Sequence, residues 1–321
     1  MRRILDLLIS GLPLVIVSGL LYAGLFIKPQ PHGSAVAQPV FERGEGIYGL
    51  SAFAQRKVWA VGSNGKIAVT ENGGESWQRQ DSGIEVALQD ISSWDEQRAV
   101  AVGNDGVVVV TSDAGRSWQT IEVPKSKIAN KLLRVKAQAG GTAWAVGEAG
   151  MILRSTDYGK TWLRMGAEED AGWNDVVATA GKVWLVGEFG RIKVSDDDGV
   201  SWRVVTSSIK TSLMSVAFKD GNSGLAVGLG GVILATRDGG QKWVQQQSPT
   251  SDHLYSVLWD GTRWLATGAS GTILVGDGDG RDWKATRLSP LDRNWYTSIT
   301  RQGDKYFLSG SKLAVTAITA L

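Results

Sequence analysis

The chain has no cysteine and only two histidines. Without thiols it can form no disulfide and can use neither a thiolate nucleophile nor a cysteine metal site; the redox compartment stays open. His32 and His253 have no partner set for zinc ligation or triad chemistry around them, and a lone loop histidine is usually just solvated. An excess of one charge is missing too. Lys and Arg number 34 against 32 Asp and Glu, a net charge of +2, which argues against a nucleic-acid surface. What the chain holds in quantity is glycine, 41 residues, and tryptophan, 14 residues. Both suit a β fold rich in turns.

Ser155-Thr156-Asp157-Tyr158-Gly159-Lys160-Thr161-Trp162 has five relatives, ending at Trp77, Trp118, Trp202, Trp243 and Trp283. Successive closing tryptophans lie 41, 44, 40, 41 and 40 residues apart. A fixed period of about forty residues marks an array of identical supersecondary units. Each period contains four short β-rich runs bounded by Gly and Asp, with a Gly-x-x-Gly turn such as Gly187/Gly190 between the second and third. Glycine at both ends of that turn is expected to supply the positive φ of a tight hairpin. Four antiparallel strands per repeat, stacked radially, predict an all-β propeller. First strands are predicted to begin at Ile47, Leu88, Leu132, Trp173, Leu213, Leu254 and Tyr296, which makes seven blades. The seventh lacks a closing box. Residues Ala37 to Arg43 are therefore expected to supply its fourth strand and remove an exposed sheet edge.

The octapeptide reads Ser/Thr-x-Asp-x-Gly-x-Ser/Thr-Trp, which is the Asp-box or BNR repeat of sialidase-like propellers. With the Val-Gly-x-x-Gly hairpin before it, residues 40–321 resemble the photosystem II stability and assembly factor family of seven-bladed propellers. The box is expected to be structural: its carboxylate accepts turn amides, its glycine turns the corner and its tryptophan packs between blades. The residues assigned these roles are Asn72 (replacing Asp), Asp113, Asp157, Asp198 and Asp238, with Trp77, Trp118, Trp162, Trp202, Trp243 and Trp283. Blade six departs, starting at Gly276 and carrying Asp282 before its tryptophan.

The amino terminus differs in kind. Met1-Arg2-Arg3 precedes an apolar stretch at 4–27, and from Leu7 onward twenty-one residues carry no charge, enough to span a hydrocarbon core of about 30 Å. Ala35-Val36-Ala37 allows the competing reading of a cleaved signal peptide. The run exceeds the roughly 7–15 residues of a signal h-region, however. The domain reading is thus a cytoplasmic n-region at 1–3, a transmembrane signal anchor at 4–27, a tether at 28–37 and the propeller at 38–321. Arg2 and Arg3 against Lys28 orient a single pass with the propeller on the periplasmic side of a bacterial inner membrane.

Catalysis finds no footing. The Arg-Ile-Pro signature of sialidases is absent, and Asp277 to Asp282 has Arg281 where a calcium loop needs a third ligand. No cofactor, metal or enzyme activity is expected. A binding surface remains. The longest loop leading into a first strand, Ile121 to Lys131, carries Lys125, Lys127 and Lys131 and accounts for the 44-residue spacing. Glu148, Glu188 and Phe189 fall on hairpin tips of the same face, where Tyr255 approaches; Asp90, Arg134 and Asp175 occupy matching inner-strand positions. The candidate partner-binding residues are Lys125, Lys127, Lys131, Arg134, Glu148, Glu188, Phe189 and Tyr255; Asp90, Arg134 and Asp175 read equally as a self-neutralised channel lining. The resemblance implies a non-catalytic, membrane-tethered scaffold, assembly or accessory factor. Its partner would be an integral membrane protein or complex, whether a transporter or a photosystem-like assembly. The alternative is a glycan or small-ligand binding propeller, including a degenerate glycosidase.

Overall fold

The computed structural model describes residues 2–26, 39–53 and 56–317, and the chain divides after Pro39 into two units. The first contains one helix, Arg2–Phe26, with Pro13 inside it. The side chains of residues 1–11 and 23, and all of 27–38, lie outside the description. The tether and the Ala35-Val36-Ala37 site fall there. Among the described residues no helix is long and apolar enough to cross a membrane. The sequence alone therefore carries the expectation of a membrane span.

The second unit is a seven-bladed β-propeller. Six blades are four-stranded antiparallel sheets in simple sequential order, and all seven first strands begin at the residues named from the sequence. In blade four these are Trp173–Thr179, Lys182–Gly187, Ile192–Ser195 and Arg203–Val205. The second strands, such as Lys57–Gly62 and Ala99–Gly103, are buried along their length. Sandwiched between neighbouring blades, they read as continuous apolar runs rather than alternating ones.

The Gly-x-x-Gly turn works differently at its two ends. The second glycine takes positive φ, +69° at Gly190, as expected. The first is extended, with φ −161° at Gly187, so left-handedness is not its reason. A Cβ there would lie 2.3 Å from the Gly172 carbonyl oxygen. Close approach of hairpin and first strand is what excludes a side chain. The same seam recurs in all seven blades: the residue after this glycine donates its N–H to the carbonyl just before the first strand. Glu188 to Gly172 (3.2 Å) and Ser311 to Trp295 (3.0 Å) are two instances.

Among the described residues blade seven has three strands, Tyr296–Gln302, Lys305–Gly310 and Leu313–Ala317. The fourth strand expected from Ala37 to Arg43 is not seen among the described residues: 39–46 contains no strand, and Ala37 and Gln38 lie outside the description. The backbone turns on itself instead, Glu45 N–H donating to Glu42 C=O (3.2 Å) and Glu42 N–H to the Glu45 carboxylate (2.8 Å). Phe41 thereby meets Trp77 edge-on at 5.5 Å. Side chains close the ring. Thr297 Oγ1 donates to Tyr48 C=O (3.0 Å), Lys305 Nζ to Gly73 C=O (3.1 Å), and Trp77 meets Phe307 at 6.3 Å.

Candidate functional site

The Asp-boxes are turns whose polar groups are spent on themselves. Thr111 Oγ1 donates to Asp113 Oδ1 (2.8 Å) and accepts Gly115 N–H (2.9 Å); Asp113 also accepts the Ser117 amide (3.0 Å) and hydroxyl (2.6 Å). The Ser117 hydroxyl, its amide and Thr111 pull the Asp113 carboxyl down to about 2. The pattern repeats at Asp157 and Asp238, and Asn72 substitutes its amide oxygen. Blade four corrects the sequence assignment. Its box carboxylate is Asp197, held by Ser195 (2.7 Å) and by the Ser201 amide and hydroxyl (2.9 and 2.6 Å). Asp198 has φ +57° and pairs outward with Arg154 at 3.1 Å. In blade six Asp277, one position early, accepts the Arg281 amide (2.7 Å) and so closes the turn read as calcium-like.

Each box tryptophan packs on the preceding blade. Trp202 meets Trp144 at 6.1 Å and Trp243 meets Trp184 at 6.2 Å. Trp77 meets blade seven, and Trp118, Trp162 and Trp283 join apolar clusters with residues of blades one, two and five. The box glycines complete this seat: a Cβ on Gly240, at φ +77°, would lie 2.2 Å from the Trp184 ring.

The opposite face, where hairpin tips meet first-strand starts, is irregular. Lys125 and Lys127 are exposed, Lys131 half-buried, and Ile128 on the same loop is 72% exposed. This loop joins its neighbour where Lys127 N–H donates to Glu168 Oε1 (3.3 Å). Glu169 pairs with Arg191 and Lys193. Glu148 and Glu188 are part of the scaffold: they accept the N–H groups of Lys131 (3.3 Å) and Gly172 (2.8 Å). Phe189 is 66% exposed at φ +57°. Lys125 through Phe189 therefore form one sector over blades two to four. Tyr255 lies apart from it, at the axis.

At the axis the two acids join blades. Asp90 is buried and accepts Val135 N–H from blade three (3.0 Å); burial pushes its carboxyl up, against the pull of Lys136 and Arg134. Asp175 accepts the Ser215 hydroxyl (2.8 Å) and Val216 N–H (3.0 Å) of blade five. Arg134 Nη2 reaches across to the carbonyls of Thr297 (2.9 Å) and Tyr255 (3.5 Å). Each of the three is spent on groups of another blade, and none bonds to another of the three.

Sequence reasoning named Arg134 and Tyr255 but not the axial mouth that they help to line. Every first strand shifts register after its opening residue, at Ile47/Gly49 and Leu88/Asp90 for example. The residues at the shifts are Tyr48, Gln89, Leu133, Asn174, Met214, Tyr255 and Thr297, and with Arg134 they line one cavity of about 130 Å³. The sign was available: this column of the repeat holds six residue types in seven blades. Among the described residues no group of three or more His, Cys, Asp or Glu is placed to hold a metal ion.

The sequence profile described as photosynthesis system II assembly factor YCF48 matches residues 76–203 and 194–305, well over half of the chain. No curated protein matches. Among solved structures, YCF48 bound to D1 peptide is 19% identical with a TM-score of 0.73, over 87% of this chain and 95% of that one. YCF48 from Cyanidioschyzon merolae is 16% identical with a TM-score of 0.70, over 86% and 96%. The WD40 beta propeller domain of Doa1, 11% identical, also superposes with a TM-score of 0.70, over 88% and 96%. At such identities the structural likeness speaks for the fold alone.

Proposed function

Because the chain belongs to the photosynthesis system II assembly factor YCF48 family, we propose that it is a non-catalytic assembly or scaffold factor. On this reading it binds a polypeptide segment of an integral membrane protein on the hairpin-tip face. The observation that carries the reading is Phe189. The same tip position in other blades holds Asn64, Asp105, Ala149, Gly230 and Ser270, all smaller side chains, of which Asn, Asp and Gly tolerate a left-handed backbone best. A bulky side chain there is strained, and this one has its ring in solvent. Folding gains nothing from it. Exposed aromatics beside charges are typical interface anchors, and the lysines of the 121–131 loop share its sector. A similar structure, YCF48, is bound to a D1 peptide, which supports a polypeptide ligand.

The proposal includes a tether: the 4–27 segment anchors the chain in a bacterial inner membrane, with the propeller on the periplasmic side. The uncharged run and Arg2-Arg3 support this. A mature chain beginning at Met1 or Arg2 that resists carbonate extraction is the expected result; one beginning at Gln38 would refute the tether. For binding, the tagged full chain is used to capture partners from detergent-solubilised membranes. A specific integral-membrane partner is expected, with capture weakened when Phe189, Lys125, Lys127 and Lys131 become Ala together. Stability should change by less than about 1 kcal/mol, as at surface sites. Undiminished capture by that variant, or glycan binding with no membrane-protein partner, would overturn the proposal.

A further inference from the structure

The axial cavity is built by all seven blades, and its chemistry limits what it can take. Its volume, about 130 Å³, is close to that of the roughly 150 Å³ engineered cavity that binds benzene. That is room for one side chain. Several of the cavity's polar groups are already engaged. Gln89 Nε2 donates to Asn104 Oδ1 (3.0 Å), Asn174 Nδ2 to Leu213 C=O (2.8 Å), and the Tyr48 hydroxyl bonds Ser63 Oγ (3.1 Å). Leu133, Met214 and the ring faces of Tyr48 and Tyr255 are left as wall.

Charge decides between ligand classes. Among the described residues Arg134 is the cavity's one charged lining residue, and its Nη2 donates to the carbonyls of Thr297 and Tyr255. Asp90 and Asp175 are buried outside the cavity's lining, with Arg134 and Asp175 near enough for their charges to act on Asp90. A carboxylate entering the mouth would meet two acids behind one guanidinium; an ammonium would meet the guanidinium first. Either would give up hydration to enter a cavity walled mainly by Leu133, Met214 and two tyrosine rings, which costs free energy. A neutral group pays no such penalty.

We propose that this cavity is a socket for one uncharged, benzene-sized side chain, Leu, Met or Phe, carried by the partner polypeptide. This rests on the function proposed above and adds the anchor that the partner must present. A single apolar side chain in a fully lined pocket near the centre of an interface is how binding energy is usually concentrated.

The test is made on the full chain with three probes of one shape: p-cresol (neutral), p-toluate (anionic) and benzylamine (cationic), titrated by ligand-observed NMR. Met214→Trp and Gln89→Trp, on different blades, each fill the socket, so one variant remains informative if the other fails to fold. Expected are p-cresol binding, no competition by either charged probe, and a dissociation constant raised at least about tenfold in a folded socket variant. Membrane-partner capture should fall in the same variant. Stronger binding of a charged probe would overturn the proposal, as would p-cresol binding indifferent to both variants. So would p-cresol binding lost with capture unchanged, which would mark a site for a free small molecule. Absence of any captured partner would defeat the broader function while the probe titration still decided the socket.

Discussion

Truncating Trp162 to Ala should destabilise the propeller by about 3–5 kcal/mol, the range for buried aromatics replaced by Ala. The side chain is only 5% exposed and lies among Val100, Val102, Val108 and Val110 of blade two and Leu153 of its own blade. Its Nε1 donates to Gly159 C=O at 2.9 Å, so truncation also leaves a buried acceptor unpaired. At roughly 2 °C per kcal/mol for a protein of this size, the melting temperature should fall by about 6–10 °C. Denaturant unfolding should show a lower midpoint with an unchanged slope. Trp162→Phe, which keeps a ring and loses the donor, should fall between the two. Phe189→Ala is the internal control, since a ring in solvent contributes within about 0.5 kcal/mol. A loss below about 1 kcal/mol for Trp162→Ala, or one equal to the control, would refute the view that box tryptophans hold adjacent blades together.

The box carboxylates predict an acid limb. Asp113 and Asp197 are held at about 2, below the ordinary unfolded value near 3.9. Their stabilisation is complete above about pH 4 and is lost as the pH falls towards 2; melting curves of Asp113→Asn/Asp197→Asn should be flatter across that window. Glycine substitutions should split by surroundings. Gly230→Ala, at φ +71° with open space around its Cβ, should cost about 1–2 kcal/mol of backbone strain, whereas Gly240→Ala adds a 2.2 Å clash with Trp184 and should cost clearly more in the same unfolding assay. Phe41→Ala should cost roughly 1–2 kcal/mol, a partial share of a buried side chain; no loss would show that its contact with Trp77 does not help close the ring.

The blade count and the strand starts were legible because they rest on repetition, and six copies of a box outweigh any single ambiguous residue. Legibility failed where one physical device resembles another. Gly187 and Gly190 look alike in sequence, yet Gly187 serves close approach with an extended backbone, whereas Gly190 makes a left-handed turn and also leaves no room for a Cβ beside the Ile209 carbonyl. Asp196-Asp197-Asp198 offers three identical side chains; the Ser/Thr-x-Asp-x-Gly spacing already places Asp197 in the box, and the bonds from Ser195 and Ser201 show it there. Glu148 and Glu188 read as free surface charge because no pattern announces a carboxylate that accepts a strand-entering N–H. The fourth strand of blade seven was misjudged because Glu42 and Glu45 satisfy the local backbone themselves.

The register shift explains why the axial mouth escaped notice and why it can vary. A bulge takes one residue per blade out of the ladder, so that side chain need not fit between sheets. Flanking positions are constrained: the opening residues Leu88, Leu132, Leu213 and Leu254 are buried and apolar. Two residues on, Asp90, Asp175 and Ser215 bond to the blade on one side. Between them the chain places Tyr, Gln, Leu, Asn, Met, Tyr and Thr. Repetition fixes where these residues point and leaves their identity free. Specificity in a closed ring of this kind therefore belongs to the columns that the repeat does not hold constant, here the bulge column and the tip position of Phe189.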